Sequence, residues 1–417
     1  MSRRKRMLFV SPRFLFPADS GGKIRTAQIL RGMKGGSFEI TLLSPASDGA
    51  AERHRDELHR VADRFLWWSE AERNGLYWLT RLRHLLSRYP ISTYADRSTD
   101  GRRLVQSELS RADLTVFDFA HAAVLAPERF PIPAVMFTHN VEAEIFKRHV
   151  TVAESWVKKA VWRNQYHKME TFERDVFKRF DGIVAVSGRD GEAIRRRYAV
   201  RRIHVIGTGV DLQFLNYVPP GDAGTVVFTG AMDWMANIDG IEYLMEEIWP
   251  DISQRAPQAR MVVVGRNPPG ALVRRAEATR PDWHFTGYVD DVRSYVQGAS
   301  VYVIPLRVGG GTRIKAFEAM AMGTPVVSTD LGVEGLGLES GRHYLEGNDP
   351  ERFAGAVGRL LKDAVLRRQM ATSARVHVER HASYQSVARD FEAFCLDVAS
   401  NAVGRDSAGT YDSTARA

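Results

Sequence analysis

The chain has 417 residues, 44% of them hydrophobic and 26% charged. That is the balance of a globular protein long enough for two or three domains. A single cysteine, Cys395, excludes an intramolecular disulfide framework and any multi-cysteine metal cluster, and in Phe-Cys-Leu it reads as a buried apolar residue. The net charge of +8 is uneven: residues 1–200 hold 35 Lys+Arg against 24 Asp+Glu, the rest 23 against 26. A basic first half fits either contact with something anionic or arginines on a solvated face.

No apolar run approaches the roughly 20 residues needed to span a bilayer. The basic start, Met1 to Met7, is followed by apolar residues too few for a secretion signal, so the expected location is the cytoplasm, with peripheral attachment to the inner face of a membrane left open.

In chain order, Met7-Leu-Phe-Val10 reads as a buried strand. The turn-rich Pro17–Gly22 and a helix over Ile24–Met33 follow, then strands at Phe38–Leu43, Leu114–Phe117 and Ala134–Thr138. The aromatic and basic stretch from Phe65 to Tyr94 (Trp67, Trp68, Trp78, Arg81, Arg83, Arg88) has Leu79, Leu82, Leu85 and Leu86 at helical spacing. Those four leucines read as an amphipathic helix with an arginine side, either lying on an anionic membrane or buried with its arginines reaching water. Residues 151–180 form a long helical segment with Met169, Phe172, Val176 and Phe180 on one face. Strands at Asp181–Ser187 and Arg202–Ile206 close the block.

Around Asn216–Gly224 the composition turns to loop formers. Strands then recur at Thr225–Thr229, Met261–Val264, His284–Phe285, Val301–Pro305 and Pro325–Ser328. The expected fold class is therefore α/β, two Rossmann-like parallel-sheet domains. The expected bounds are 1–215 for the first domain, 216–380 for the second, 381–400 for a C-terminal helix, and 401–417 for a disordered tail.

One segment contradicts ordinary helix chemistry. After Val301–Pro305 come Gly309-Gly310-Gly311, and then Arg313 and Lys315 in the first turn of a helix, where the partial positive charge of the N-terminus disfavours cations. A bound anion removes the contradiction, since glycine-loop amides and two cations together suit a phosphate or diphosphate. Glu318 lies one turn deeper on the same face, placed to accept hydrogen bonds from the vicinal hydroxyls of a ribose. The alternative is an ordinary loop with solvated Arg313 and Lys315 and a Lys315–Glu318 surface pair.

Glu318-Ala-Met-Ala-Met-Gly323-Thr-Pro325-Val-Val327 resembles the signature segment of glycosyltransferase family 4, nucleotide-sugar enzymes of GT-B architecture. Supporting matches run in order through Gly21-Gly22, Thr138-His139-Asn140-Val-Glu142, Gly209-Val-Asp211, Phe228-Thr-Gly230, Val263-Val-Gly265-Arg266 and Phe285-Thr-Gly287-Tyr-Val-Asp290. The resemblance implies an acceptor-side domain (1–215) and a nucleotide-sugar-binding domain (216–380) facing across a cleft, with the C-terminal helix (381–400) crossing back. It also implies retaining transfer of a sugar from a nucleotide-diphosphate donor to a saccharide or glycolipid acceptor of envelope or exopolysaccharide assembly. It implies no cofactor and no required metal. Glu318 would hold the ribose, Gly311, Thr312, Arg313 and Ile314 would face the diphosphate, and Gly287, Tyr288 and Val289 the base. Gly22, Gly230, Gly265 and Arg266 would line the donor, and His139 would sit by the transferred sugar.

Two departures stand out. Gly310 occupies the place of the first glutamate of the family's Glu-x7-Glu pattern, and Ala231-Met232 and Asn237 occupy the places of its usual Arg and Lys. Arg313 and Lys315 would then replace the lost cations and, with His139, form the catalytic set. Asp19, Gly21, Lys23 and Arg25 form a second loop and cationic helix start, read as either an acceptor-phosphate site or a plain turn.

His121 stands alone in sequence, and no metal-binding spacing or hydrolase elbow occurs, so no metal site is expected. No nucleic-acid motif accompanies the basic half, so nucleic acid is not an expected partner. Two rival functions are a nucleotide-sugar 2-epimerase on the same architecture and a degenerate nucleotide-sugar-binding protein.

Overall fold

The computed structural model describes residues 3–70, 87–94, 96–152, 155–221, 224–308 and 313–401. The chain divides into two compact units, one of Met1–Ile206 with Val387–Ala417 and one of Gly207–Ser386. Each is built on one parallel sheet.

The first unit carries β1 (Lys5–Val10), β2 (Phe38–Ala46), β3 (Arg64–Ser69), β4 (Leu114–Asp118), β5 (Ala134–Thr138), β6 (Gly182–Ala185) and β7 (Ile203–Val205), in the order β3-β2-β1-β4-β5-β6-β7. Successive side chains point to opposite faces of a strand. Met7 and Phe9 of β1 therefore join Ile40, Val116 and Phe137 in one core, while Leu8 and Val10 join Phe117, Met136 and Ile183 in the other. Because both faces are covered, the strands read as continuous apolar runs. The first face is covered by α1 (Gly21–Met33) through Ile29, Leu30 and Met33, and by the last helix, whose Val387, Phe391, Cys395 and Val398 are buried there. The segment from Val387 onward thus belongs to the first unit.

One strand of this unit is not among the expected ones, and one helical reading changes. Phe65–Trp68 forms part of strand β3, paired with β2, with Trp68 buried and Trp67 exposed and stacked on Phe65. Its run of four large apolar residues hides the alternation natural to a half-buried edge strand. Leu79, Leu82, Leu85 and Leu86 lie outside the described residues. The segment read as helical over 151–180 belongs to two helices, Glu142–Val152 and Trp156–Phe177, the second opened by Ser155, whose side chain accepts from the Lys158 amide. Met169, Phe172 and Val176 do form its buried face.

The second unit carries β8 (Thr225–Thr229), β9 (Arg260–Val264), β10 (Trp283–Gly287), β11 (Val301–Ile304), β12 (Val326–Ser328) and β13 (Tyr344–Glu346), in the order β10-β9-β8-β11-β12-β13. The three-residue β13 was not foreseen. Val226, Phe228, Val263 and Val303 face one core with Trp249 and Phe353, and Val227, Val264, Tyr302 and Ile304 face the other with Phe317 and Met320. Fully burying each such large side chain stabilises by about 1.5–3 kcal/mol.

In both sheets the chain reverses its winding direction once, between β1 and β4 in the first and between β8 and β11 in the second. The carboxyl ends of strands at such a reversal leave a crevice, where open α/β sheets bind ligands.

Candidate functional site

In the second unit the loops leaving β8, β9 and β10 are held together by their glycines. The Gly230 amide donates to the Val264 carbonyl at 2.9 Å, and the Gly265 amide to the Gly287 carbonyl at 3.2 Å. A Cβ on Gly265 would lie 1.8 Å from the Gly230 carbonyl oxygen, so only glycine permits this approach. Gly287 sits at φ +71°, the left-handed region that glycine enters without strain. Tyr288 beyond it is exposed, and Val289 packs against the core. Arg266 leans outward to Asp233 at 3.3 Å.

The helix α2 (Ile314–Ala321) follows β11 and brings Lys315, 78 residues after Asn237 in sequence, into this arrangement. Lys315 Nζ donates to Asn237 Oδ1 at 3.1 Å, and a Cβ built on Gly230 would lie 3.1 Å from the same nitrogen. Asn237 is fixed in turn by its Nδ2, which donates to the Ala231 carbonyl at 2.8 Å. The ammonium also lies 4.4 Å from the centre of the Phe228 ring, a cation–π contact. Lys315 thus reaches the loop after β8, where the departure from the family pattern had left no cation.

Among the described residues, no carboxylate pairs with Lys315 at ion-pair distance and no donor bonds the Glu318 carboxylate. A solvated Lys315–Glu318 surface pair is therefore not what the structure contains. Burial pushes the Lys315 ammonium down to about 8, against the pull of Glu318, with Arg313 lowering it further. Burial pushes the Glu318 carboxyl up, with Lys315 opposing. Arg313 is buried at the residue preceding α2, one position earlier than the sequence pattern placed it, and Ile314 begins the helix with its side chain against the core. Gly311 and Thr312 lie outside the described residues.

The crevice of the first unit is of another kind. Asp118, fully buried at the end of β4, accepts from Thr26 Oγ1 at 3.0 Å and Ser11 Oγ at 3.3 Å on one oxygen. Its other oxygen lies 2.7 Å from His139 Nε2, and the Arg25 guanidinium lies 3.1 Å from His139 Nδ1. A guanidinium only donates, so Nδ1 accepts and the proton resides on Nε2, which donates to Asp118. The ring lies between Phe119, stacked at 3.9 Å, and Phe137 at 4.4 Å. Burial holds His139 below its ordinary value even beside Asp118, with Arg25 lowering it too, so the imidazole is neutral.

Both ring nitrogens of His139 are therefore engaged within the protein. Arg25, lowered to about 10 by burial against Asp118 and Asp190, shares that network. At the start of α1 the charge anomaly expected from the sequence is met within the protein: Lys23 pairs with Asp19 at 3.1 Å and donates to the Pro17 carbonyl. Gly22 lies beneath the Phe119 ring, which a Cβ would meet at 2.5 Å, whereas Gly21 has open space. Sequence reasoning missed Asp118, whose signal was an acid ending the apolar run Leu-Thr-Val-Phe. It also left His121 isolated, although Asp96 and Glu142 lie 3.7 and 4.0 Å from it.

The two parallel sheets, each reversing once, are those of the GT-B class of α/β proteins, and solved structures share the fold. Sucrose-phosphate synthase from Thermosynechococcus elongatus aligns over 95% of this chain and all of its own, at TM-score 0.61 and 16% identity. The Anabaena protein Alr3699/HepE, solved in complex with UDP, aligns over 94% of this chain and all of its own, at TM-score 0.61 and 13% identity.

Sequence comparison then supplies the family. The Glycosyltransferase Family 4 model matches residues 20–214, and the model for glycosyl transferases group 1 matches residues 223–363. The chain belongs to the family 4-like glycosyltransferases. It is 29% identical over 185 residues to a phosphatidyl-myo-inositol mannosyltransferase of Mycobacterium leprae, a match covering 42% of this chain and about half (49%) of that relative.

Proposed function

We propose that this protein transfers a sugar, with retention, from a nucleotide-diphosphate donor to a saccharide or lipid-linked acceptor. The observation that carries the reading is Lys315. A buried ammonium is costly unless compensated, and here a neutral amide and an aromatic ring are its neighbours at hydrogen-bond or cation–π distance. A diphosphate would complete that site, with Glu318, one turn deeper and unbonded, taking the ribose hydroxyls. Gly230, Gly265 and Gly287 bare the backbone around it.

In the reaction, the bond from the sugar's anomeric carbon to the diphosphate oxygen breaks as the acceptor oxygen bonds to that carbon on the same face. The acceptor's proton passes to the departing diphosphate. Charge grows on that leaving group, so Lys315 and Arg313 stabilise the transition state more than the ground state. His139, with both nitrogens occupied, serves in this reading to hold Arg25 and the β5 loop in place. Because the neutralising cations are side chains, activity persists in excess EDTA.

The family and the name of the mycobacterial relative favour a lipid-linked acceptor and a role in envelope or polysaccharide assembly at a membrane's inner face. Among the described residues no helix is long and apolar enough to cross a membrane, so contact would be peripheral. The transferase names of the relatives do not favour an epimerase. A second reading, a donor-binding protein without turnover, draws on Gly310 in place of the family's first glutamate.

The test is titration with a panel of nucleoside diphosphates followed by donor turnover. Wild-type protein should bind one base preferentially and hydrolyse the matching nucleotide sugar slowly without acceptor. Lys315→Ala should lose about 10²–10³-fold in turnover, the scale of one lost charge-stabilising donor. Near wild-type kinetics would overturn the reading, and tight binding without hydrolysis or transfer would favour the binding protein.

A further inference from the structure

A cavity of about 930 Å³ in the second unit lies apart from the residues discussed above. One wall is the loop preceding β13, with Glu339, Arg342 and His343. The other is α3 (Ala364–His381), which presents Arg368, Thr372, Val376 and Arg380 in one four-residue stripe and Ser373, His377 and His381 in the next. Residues before β13 lie at the amino ends of the parallel strands, whereas Gly230 and Gly265 follow the carboxyl ends of β8 and β9. The cavity is thus at the opposite edge of the sheet from the donor site.

Its charges do not balance. Three arginines and three imidazoles line it, and the only carboxylate in the lining, Glu339, is already paired with Arg342 at 3.1 Å. The imidazoles crowd one another, His343 to His377 at 4.4 Å and His377 to His381 at 4.8 Å between ring centres. His343 Nδ1 accepts from the Glu339 amide at 3.0 Å, which leaves its Nε2 as the donor. His377 Nε2 is buried without a hydrogen-bond partner. Cationic forks and imidazole N–H groups converging on a space of this size, with hydroxyls from Thr372 and Ser373, are the chemistry that recognises tetrahedral oxyanions.

We propose that this cavity binds a phosphoanion carrying two or more charges, either free phosphate or the phosphate group of an ester, at a site separate from sugar transfer. Burial holds both His343 and His377 below the ordinary histidine value. Arg342 and His381 also lower His343 against the pull of Glu339, and His343 and His381 lower His377 against the Leu336 backbone and Glu339. A bound anion reverses that balance. Binding therefore takes up protons and tightens as pH falls through the imidazole range, with Glu339 the one opposing charge in the lining.

The experiment is calorimetric titration of the full chain with inorganic phosphate and, because it does not titrate near neutrality, with inorganic sulfate at pH 6 and 8. The variants are Arg368→Ala/Arg380→Ala, both exposed positions, and Lys315→Ala. Wild-type protein should bind sulfate several-fold tighter at pH 6 than at pH 8, with proton uptake that differs between buffers of different ionisation enthalpy. The double variant should weaken phosphate binding at least tenfold with its unfolding midpoint unchanged, and Lys315→Ala should leave this binding intact.

Sedimentation with vesicles containing phosphatidic acid identifies the source. Capture of wild type but not of the double variant assigns a lipid headgroup, and calorimetric binding without capture assigns a soluble phosphate. Equal affinity in wild type and double variant, loss of binding in Lys315→Ala, or no phosphate binding by wild type overturns the proposal.

Discussion

The two crevices occupy corresponding places in two similar sheets, yet they are finished in opposite ways. In the first unit Asp118, His139, Arg25, Thr26 and Ser11 engage one another, and the imidazole is closed between two phenylalanine rings. In the second unit Lys315 has an amide and a ring for neighbours, and Glu318 has no hydrogen-bonding partner among the described residues. A network that satisfies itself stabilises the fold and fixes a shape, whereas one left incomplete stores its compensation for a ligand. By that contrast the first crevice holds and the second receives.

The contrast breaks most readily at Asp118. Asp118→Ala should leave His139 and Arg25 buried without their carboxylate and lower unfolding free energy by about 3–5 kcal/mol, measured by urea titration. A loss below about 0.5 kcal/mol, the range of ordinary surface changes, would show that the first crevice is no more structural than the second.

Lys315→Ala should do the reverse, with turnover falling about 10²–10³-fold and stability unchanged or raised. A large loss of stability would make Lys315 a structural residue.

Glycine substitutions sharpen the comparison on a smaller scale. Gly22→Ala drives a methyl against the Phe119 ring that covers His139 and should cost about 1–3 kcal/mol, the scale of overpacking. Gly21→Ala, with open space at its Cβ, should be neutral within about 0.5 kcal/mol.

The finest test is the pH dependence of stability. Lys315 is held down to about 8 in the folded protein and titrates near 10.4 when unfolded, so between those values the folded state binds fewer protons. Its contribution to stability therefore rises with pH across that window and is least favourable below it. A Lys315→Met variant should exceed wild type in stability at pH 7, and the gap should close between pH 8 and 10. A gap independent of pH would place the ammonium in water. Donor affinity of wild type should weaken as pH rises through about 8.

Much of this was legible in the chain alone, because parallel strands covered on both faces are apolar runs separated by helical periods. Strands at Ala134–Thr138 and Thr225–Thr229 fall where the pattern put them. The anomaly of cations at Arg313 and Lys315 pointed to a charge in need of a partner, and Glu318 was placed on the same face. Lys23 and Arg25 showed the same anomaly, but in the fold it is met by Asp19 and by the His139 network. Local helix chemistry alone does not distinguish the two cases, since both start a helix with cations after glycines. Strand β3 is not legible in the chain alone because four large apolar residues in a row, Phe65–Trp68, fit a helix face or a strand equally well.

What the amino-acid order by itself determined is the alternation of strand and helix, the glycines where backbones must approach, and the family motifs. These are local properties, set by side-chain period and by the absence of a Cβ. Tertiary structure alone decided that Lys315 meets Asn237 and Gly230, that Asp118 meets His139, and that a loop and a helix gather three histidines and three arginines around one cavity. Those contacts join residues 21 to 85 positions apart, where burial and desolvation, which depend on the whole packed unit, decide which charges are answered within the protein and which await a ligand.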